Sequence, residues 1–163
     1  AGVSAIANPL INITLQGRHD TYPKRRGMTR VPELLAAGVP VAFGHDCVMD
    51  PWYSLGSGDM LEVAHMGLHV AQMTGQDAMR ACFQAVTATP AAILGLDDTG
   101  LAVGKRADLV LLQARDAVEA LRLRATRLMV LRAGNVIATT PPATATLNLP
   151  GRPGQVSFQT PAR

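Results

Sequence analysis

The chain has 163 residues, of which 48% are hydrophobic, and this length and composition suffice for a buried core. Fifteen Lys and Arg residues against twelve Asp and Glu give a net charge of +3, and most positive residues are scattered, which argues against a nucleic-acid-binding or membrane-binding surface. Two cysteines are too few for a disulfide framework, and no apolar run approaches the ~20 residues that cross a bilayer, so we expect a soluble, cytoplasmic protein.

The first hundred residues alternate between strand-like and helical patterns. A long polar loop, residues 12–30, separates the first buried strand from the next helix, and Gly38 is placed at the C-cap of that helix. This alternation is typical of a parallel α/β sheet whose active site lies at the carboxyl ends of its strands. The predicted strands are residues 2–7 and 39–43, and the predicted helices are residues 31–38, 60–74, 76–86 and 89–95.

From Gly100 the pattern changes to short strands separated by turns. The segment Ala133-Gly134-Asn135 has residues that tolerate positive φ, and it predicts a tight hairpin turn. We therefore expect a small β segment, followed from Pro141 by a proline-rich tail that contributes at most one edge strand. The predicted strands are residues 107–112, 127–131, 136–139 and, at the edge, 144–149.

The side chains suited to catalysis are concentrated in residues 43–52, directly after the second predicted strand. Asp46 follows this apolar run, at a point where a carboxylate in a parallel barrel faces the mouth and can bind a divalent metal ion or accept a proton. On position alone, a cap on the next structural element is the more frequent role for such a residue. The position of Asp46 therefore leaves both roles open.

Several blocks of sequence, in matching order and spacing, resemble the bacterial cytosine deaminases of the amidohydrolase superfamily. The resemblance covers nearly the whole chain and is strongest over residues 8–70, where the blocks together are far more specific than any one motif. The block GKRADL (104–109) is also similar to the point where many amidohydrolases leave the barrel and enter a small β domain. The blocks within residues 8–70 are NPLINITLQGR (8–18), DTYPKRRG (20–27), FGHD (43–46), DPWY (50–53) and HMGLHV (65–70).

The resemblance implies an α/β fold that is the last part of a TIM-like (β/α)8 amidohydrolase barrel, followed by part of a small β-sandwich domain. The barrel strands and helices would occupy residues 1–99, the β domain residues 100–149, and a flexible tail residues 150–163. Because the chain begins at Ala1 without an initiator Met and enters a strand at once, we expect a C-terminal fragment of a longer enzyme. The family also implies a homo-oligomer at full length.

The resemblance implies the chemistry as well. In that family the Asp after the last barrel strand is a metal ligand that helps to take a proton from the attacking water, so Asp46 is the expected catalytic residue and metal ligand. One divalent ion, Fe or Zn, would be the cofactor of the complete enzyme, which would convert cytosine or a 5-substituted cytosine to the uracil-type base and ammonia. Trp52 matches the family's pocket tryptophan, whose flat face can pack against the pyrimidine; without that match, a core position is an equally good interpretation.

Cys47 departs from the family pattern, which has a second Asp directly after the metal ligand. Cysteine is less polar than a carboxylate and behaves as a small hydrophobic residue. We therefore expect Cys47 to contact the substrate and to favour a C5 substituent such as a methyl group. A reactive thiol is the weaker alternative, because nothing near Cys47 in sequence supplies a general base.

The family's other metal ligands have no counterpart here, since the sequence contains no His-x-His pair. His65 and His69 lie four residues apart on a predicted helix, where two imidazoles can share a metal, but packing or hydrogen bonding is the favoured role for both. We expect His45 to point to the opposite side of the strand from Asp46 and to have a supporting or structural role. Because one carboxylate cannot hold a catalytic metal, we predict that this chain alone binds metal weakly and is inactive.

Three classes of function remain open from the sequence. The favoured one is a nucleobase deaminase that acts on a small molecule and has no nucleic-acid or membrane partner. The second is a related amidohydrolase that acts on isocytosine or an aminotriazine-like ring, an alternative that Cys47 keeps open. The third is a non-catalytic scaffold or interaction module.

Overall fold

The computed structural model describes residues 2–159, and the chain divides between Asp97 and Asp98 into two compact units. The first unit combines a parallel pair of strands with five helices. In the strand pair, Ala5 of one strand lies opposite Val41 of the other. No helix among the described residues is long and apolar enough to cross a membrane. In chain order the elements of this unit are β1 (Ala5–Ala7), α1 (Pro9–Leu15), α2 (Val31–Ala36), β2 (Val41–Phe43), α3 (Met60–Val70), α4 (Gln76–Gln84) and α5 (Ala88–Ile93).

The parallel pairing of β1 with β2 and the positions of helices α2 to α5 agree with the sequence predictions. The prediction of a loop beginning at Asn12 is wrong, because α1 continues to Leu15. Pro9 ends the strand but also starts this helix, since its fixed φ suits the first helical turn and its missing N–H is not needed there. Leu10 and Ile11 are buried, and α1 packs on α3, so tertiary contact stabilises a helix of only seven residues.

The core of the first unit is formed between β2 and α3. All three residues of β2 are buried, and α3 begins at the N-cap Asp59, whose carboxylate accepts hydrogen bonds from two backbone N–H groups of the first turn. A Cβ atom at Gly67 would lie 2.5 Å from Cε2 of Phe43, so the glycine allows α3 to approach this strand closely. The buried residues of α3 are Leu61, Val63, Ala64, Gly67 and Leu68.

The second unit contains an antiparallel sheet in the order β3-β4-β5, as predicted for three short strands. Ala133 and Gly134 have φ values of 48° and 81° and connect β4 to β5. Two successive positive φ values are characteristic of the tight hairpin turn expected from the sequence. The elements of this unit are β3 (Leu109–Leu112), α6 (Ala117–Leu123), β4 (Arg127–Arg132), β5 (Asn135–Thr139), β6 (Ala145–Thr146) and β7 (Gln155–Val156).

Two elements of the second unit were not predicted. Helix α6 begins at Asp116, whose carboxylate accepts from the N–H of Glu119, while the Glu119 carboxylate accepts from the N–H of Arg115. This reciprocal arrangement is close to a capping box, and the Asp-x-x-Glu spacing was the signal for it. Strand β7 lies in the segment predicted to be a flexible tail. It pairs with β6, which lies within the predicted edge strand, residues 144–149. Residues 160–163 of that predicted tail lie outside the described residues.

Candidate active site

The carboxyl ends of β1 and β2 lie side by side, and both are followed directly by polar residues. Asn8 follows β1, and its side-chain Nδ2 donates a hydrogen bond to Oδ2 of Asp46 at 3.3 Å. A Cβ atom at Gly44 would collide with Oδ1 of Asn8, so the glycine makes room for the Asn8 side chain. Asn8 was not identified as a site residue from the sequence, although a polar residue immediately after an apolar strand was an available signal.

Asp46 presents an exposed carboxylate at this edge of the sheet. Its backbone φ is 68°, in the left-handed region, which is less costly for Asp than for most other non-glycine residues. Its side chain has two weak hydrogen-bond partners, the Asn8 amide at 3.3 Å and the Cys47 thiol at 3.8 Å. Most of the lone pairs of this carboxylate are therefore available to a ligand, and Asp46 fits the requirement for one oxygen ligand of a divalent metal ion.

Asp50 organises the loop that carries Trp52. Its Oδ1 atom accepts hydrogen bonds from the backbone N–H groups of Trp52 and Tyr53, each at 2.9 Å. The N–H of Asp50 donates to the carbonyl of Tyr53 at 3.1 Å, which closes the turn. The Trp52 side chain is 72% exposed, so it is not a core residue of this unit, whereas Tyr53 is buried.

Cys47 lies half-buried between two carboxylates. The pKa of its thiol is raised to about 11, first because the thiol donates a hydrogen bond to Asp50, and further by desolvation and by the charges of Asp50 and Asp46. At neutral pH the side chain is therefore a neutral thiol rather than a nucleophilic thiolate. A neutral thiol is a small, weakly polar group, and the role of Cys47 as a substrate contact stays a prediction.

His45 is buried, with 8% of its surface exposed, while the neighbouring Asp46 is exposed. Strand β2 ends at Phe43, so the alternation of side chains along a strand, on which the orientation of His45 was predicted, does not extend to these two residues. Instead, the Nδ1 atom of His45 bonds to the backbone carbonyl of Cys47 at 2.7 Å. The ring also makes an edge contact with Tyr53.

The two helical histidines have no third candidate metal ligand beside them in the part of the chain that the structure describes. The ring centroids of His65 and His69 are 4.5 Å apart, and Nδ1 of His69 bonds to the backbone carbonyl of His65. Within residues 2–159, no group of three or more His, Cys, Asp and Glu side chains is arranged to hold a metal ion. Asp46 therefore accounts for at most one ligand of such an ion, and His65 and His69 remain assigned to packing and hydrogen bonding.

The first unit thus places a carboxylate just beyond a parallel strand pair, and the second unit contains an antiparallel sheet. The chain belongs to the amidohydrolase family, whose model matches residues 1–138.

Two relatives of known name are similar to this chain in sequence. The chain is 41% identical over 139 residues to a pterin deaminase from Rhizobium rhizogenes, a match that covers 84% of this chain and 31% of the relative. It is 31% identical to an N-isopropylammelide isopropyl amidohydrolase from Pseudomonas sp. (strain ADP), covering 66% of this chain and 27% of that protein.

A solved structure is also similar to this chain. It is a 5-methylcytosine deaminase from Klebsiella pneumoniae, liganded with 5-fluorocytosine, at 41% identity and a TM-score of 0.82. The match covers 93% of this chain and 36% of that one. The chain thus spans about a third of the length of the relatives it matches.

Proposed function

We propose that the protein to which this chain belongs is a metal-dependent hydrolytic deaminase of cytosine or a 5-substituted cytosine. The observation that carries the proposal is the exposed, weakly hydrogen-bonded carboxylate of Asp46 at the carboxyl ends of two parallel strands. The identity of 41% to a 5-methylcytosine deaminase supports the choice of substrate. In this proposal the first unit is the last part of a (β/α)8 barrel, and the second unit is part of a β-sandwich domain.

In the proposed reaction, water adds to the ring carbon that carries the amino group, the amino group leaves as ammonia, and an oxo group remains. Asp46 accepts a proton from the attacking water and would also hold a divalent metal ion, Fe or Zn. Such an ion, when bound, supplies Lewis acidity that lowers the pKa of water from 15.7 to about 7. The Asn8 amide orients the Asp46 carboxylate through the bond at 3.3 Å.

Trp52 and Cys47 are the proposed substrate contacts. Trp52 has an exposed ring on a turn closed by Asp50, so its flat face is available to pack against a pyrimidine. Cys47 offers a neutral thiol beside Asp46, which suits a methyl group better than a carboxylate would. The substrate is a free nucleobase rather than a nucleic acid, and we propose a cytoplasmic homo-oligomer without a membrane partner.

A second candidate is deamination of a different amino-substituted nitrogen heterocycle. The pterin deaminase is as similar in sequence as the 5-methylcytosine deaminase, and the ammelide hydrolase shows that ring substituents differ among relatives. This alternative keeps Asp46 in the same role and changes the ring that Trp52 and Cys47 contact.

The test is to express the complete reading frame that contains this chain and to measure ammonia release from cytosine, 5-methylcytosine, isocytosine and pterin. We expect turnover of cytosine or 5-methylcytosine, loss of that turnover after chelation, and recovery when Fe or Zn is restored. Turnover of pterin or isocytosine alone would establish the second candidate. Absence of turnover on all four compounds by a metal-loaded, folded protein would refute both.

Cys47→Asp tests the assignment of the C5 contact in the same protein. Placing a carboxylate beside the C5 substituent should lower the rate on 5-methylcytosine relative to cytosine by about tenfold, the lower end of what one misplaced methyl group costs in a pocket. Cys82→Ser is the matched control, because Cys82 is buried beside Met73 and should leave the ratio of rates unchanged. Equal ratios in the Cys47→Asp variant and the unmodified protein would contradict the assignment.

A further inference from the structure

His45 has a buried imidazole whose surroundings are specified on several sides. Its ring meets the ring of Tyr53 edge-on, with centroids 6.1 Å apart and planes inclined by 69°. Gly56, with φ of 85°, lies against the same ring, and a Cβ atom there would be 2.5 Å from Cε1 and 2.7 Å from Nε2. The ring is thus held between Tyr53 and a backbone segment that has no space for a larger residue.

The Nδ1 atom of this ring bonds to the carbonyl oxygen of Cys47 at 2.7 Å, and that bond spans Asp46. Because a carbonyl oxygen only accepts, Nδ1 must carry the hydrogen. The bond closes a short loop formed by the His45 side chain and the backbone of residues 45–47, in which Asp46 is the middle residue, with φ of 68°. The bond and the left-handed conformation of Asp46 therefore belong to one local arrangement.

We propose that His45 is a positioning residue that holds the Asp46 carboxylate at the strand edge through the bond from Nδ1 to Cys47, an inference that rests on the proposed function of Asp46. Without this bond nothing else described in the structure ties the Cys47 carbonyl back across Asp46. Among residues 2–159 the hydrogen bonds to the carboxylate itself are those from the Asn8 amide at 3.3 Å and the Cys47 thiol at 3.8 Å. Because both contacts are long, the backbone of Asp46 contributes more to the direction of its carboxylate than the Asn8 amide does.

The competing explanation is that His45 only fills space. Within residues 2–159 the Nε2 atom of His45 is buried and has no hydrogen-bond partner, so Nδ1 is the atom through which the ring makes a directed bond. Three substitutions separate the two explanations. Asn carries its amide nitrogen at the place of Nδ1, Gln carries it at the place of Nε2, and Phe fills the ring volume without a donor.

The experiment uses the complete, metal-loaded protein with His45→Asn, His45→Gln and His45→Phe. We expect kcat of the Gln and Phe variants to fall by about 10- to 100-fold, the usual range for residues that orient a metal ligand, while KM changes little. The kcat of the Asn variant should stay within about threefold of that of the unmodified protein. The proposal would be overturned if kcat of the Phe variant equalled that of the unmodified protein. It would also be overturned if kcat fell equally in folded Asn and Phe variants.

Two measurements do not depend on turnover. Metal content after dialysis should remain stoichiometric in the Asn variant and fall in the Phe variant. Crystal structures should show Asp46 in the left-handed region in His45→Asn and outside it in His45→Phe. A left-handed Asp46 in His45→Phe would overturn the proposal even if no variant could be assayed. If the unmodified protein deaminates none of the heterocycles, the proposed function fails, while these structures still decide the role of His45.

Discussion

Asp46 in the first unit lies just after β2, Asp108 in the second lies directly before β3, and the two aspartates use their carboxylates in opposite ways. Asp108 accepts from Nε of Arg106 at 2.8 Å, from Nη1 of Arg132 at 2.6 Å and from the backbone N–H of Ala133 at 2.7 Å. These bonds tie the segment before β3 to the hairpin between β4 and β5. In the described part of the chain Asp46 has no comparable donors, and its hydrogen bonds are long.

The difference shows how a structural carboxylate can be distinguished from one that is available for chemistry. A carboxylate surrounded by short, charge-assisted hydrogen bonds has its lone pairs occupied and stabilises the fold. A carboxylate placed at a strand edge by its backbone, with few donors nearby, keeps lone pairs for a ligand or a proton. The hydrogen bonds of Asp108 give the GKRADL block a structural role. Asp46 remains the candidate catalytic carboxylate.

The largest expected effect is on turnover of the complete protein when Asp46 is changed to Asn. Asn tolerates the left-handed conformation of this residue but cannot accept a proton or supply a charged metal ligand, so kcat should fall by about 10³-fold. Asp108→Asn, assayed in parallel by ammonia release, should leave kcat unchanged at neutral pH. A similar loss in both variants would contradict the distinction between the two aspartates.

A smaller effect is expected at Asp50, which has a structural role next to the candidate site. Asp50→Ala removes the acceptor for the N–H groups of Trp52 and Tyr53, so Trp52 should be held less well and KM should rise by about tenfold with kcat nearly unchanged. Asp50→Asn keeps a carbonyl oxygen at the same place and should behave nearly as the unmodified protein. Steady-state kinetics of both variants provide the test, and an unchanged KM in the Ala variant would show that Trp52 does not need this turn.

The smallest effect is on stability and concerns Asp108. The pKa of Asp108 is lowered, first by the hydrogen bond from the N–H of Ala133 and then by Arg106 and Arg132. The ionised carboxylate therefore stabilises the fold at pH values above the unfolded pKa of about 4. This contribution to stability is lost as the pH falls through the lower pKa of the folded state. Thermal unfolding of Asp108→Asn should therefore begin at a lower temperature at pH 6, and the difference from the unmodified protein should narrow under more acid conditions.

The control for that measurement is Asp77→Asn on α4. The side chain of Asp77 is almost fully exposed and pairs with Arg80 on the same helix, an arrangement that contributes little to stability. The thermal unfolding midpoint of Asp77→Asn should match that of the unmodified protein at every pH. A difference for Asp108→Asn that stays constant or widens in acid would contradict the assigned role of its charge.

Much of the fold was predictable because its elements are marked by local signals. Ala37 and not the predicted Gly38 is the C-cap of α2, but Gly38 follows it with φ of 73°, and Ala133 and Gly134 form the predicted hairpin turn. The predictions are wrong at two places. Pro9 marks the end of a strand in the prediction, but in the structure it also begins helix α1. The Asp116 to Glu119 spacing marks the start of α6, a helix that the prediction lacks. In both places a short helix is stabilised by burial of its apolar residues, which no local propensity reveals.

Family membership, the place of Asp46 after an apolar strand and the replacement at Cys47 all follow from the order of residues along the chain. The contact between Asn8 and Asp46 does not, since 38 residues separate them and only the parallel pairing of β1 with β2 brings them together. The left-handed backbone of Asp46, the buried ring of His45 and the turn at Asp50 likewise depend on hydrogen bonds that exist once the loop is closed. Local sequence specifies which groups are present, and folding specifies which of them meet and which lone pairs stay free.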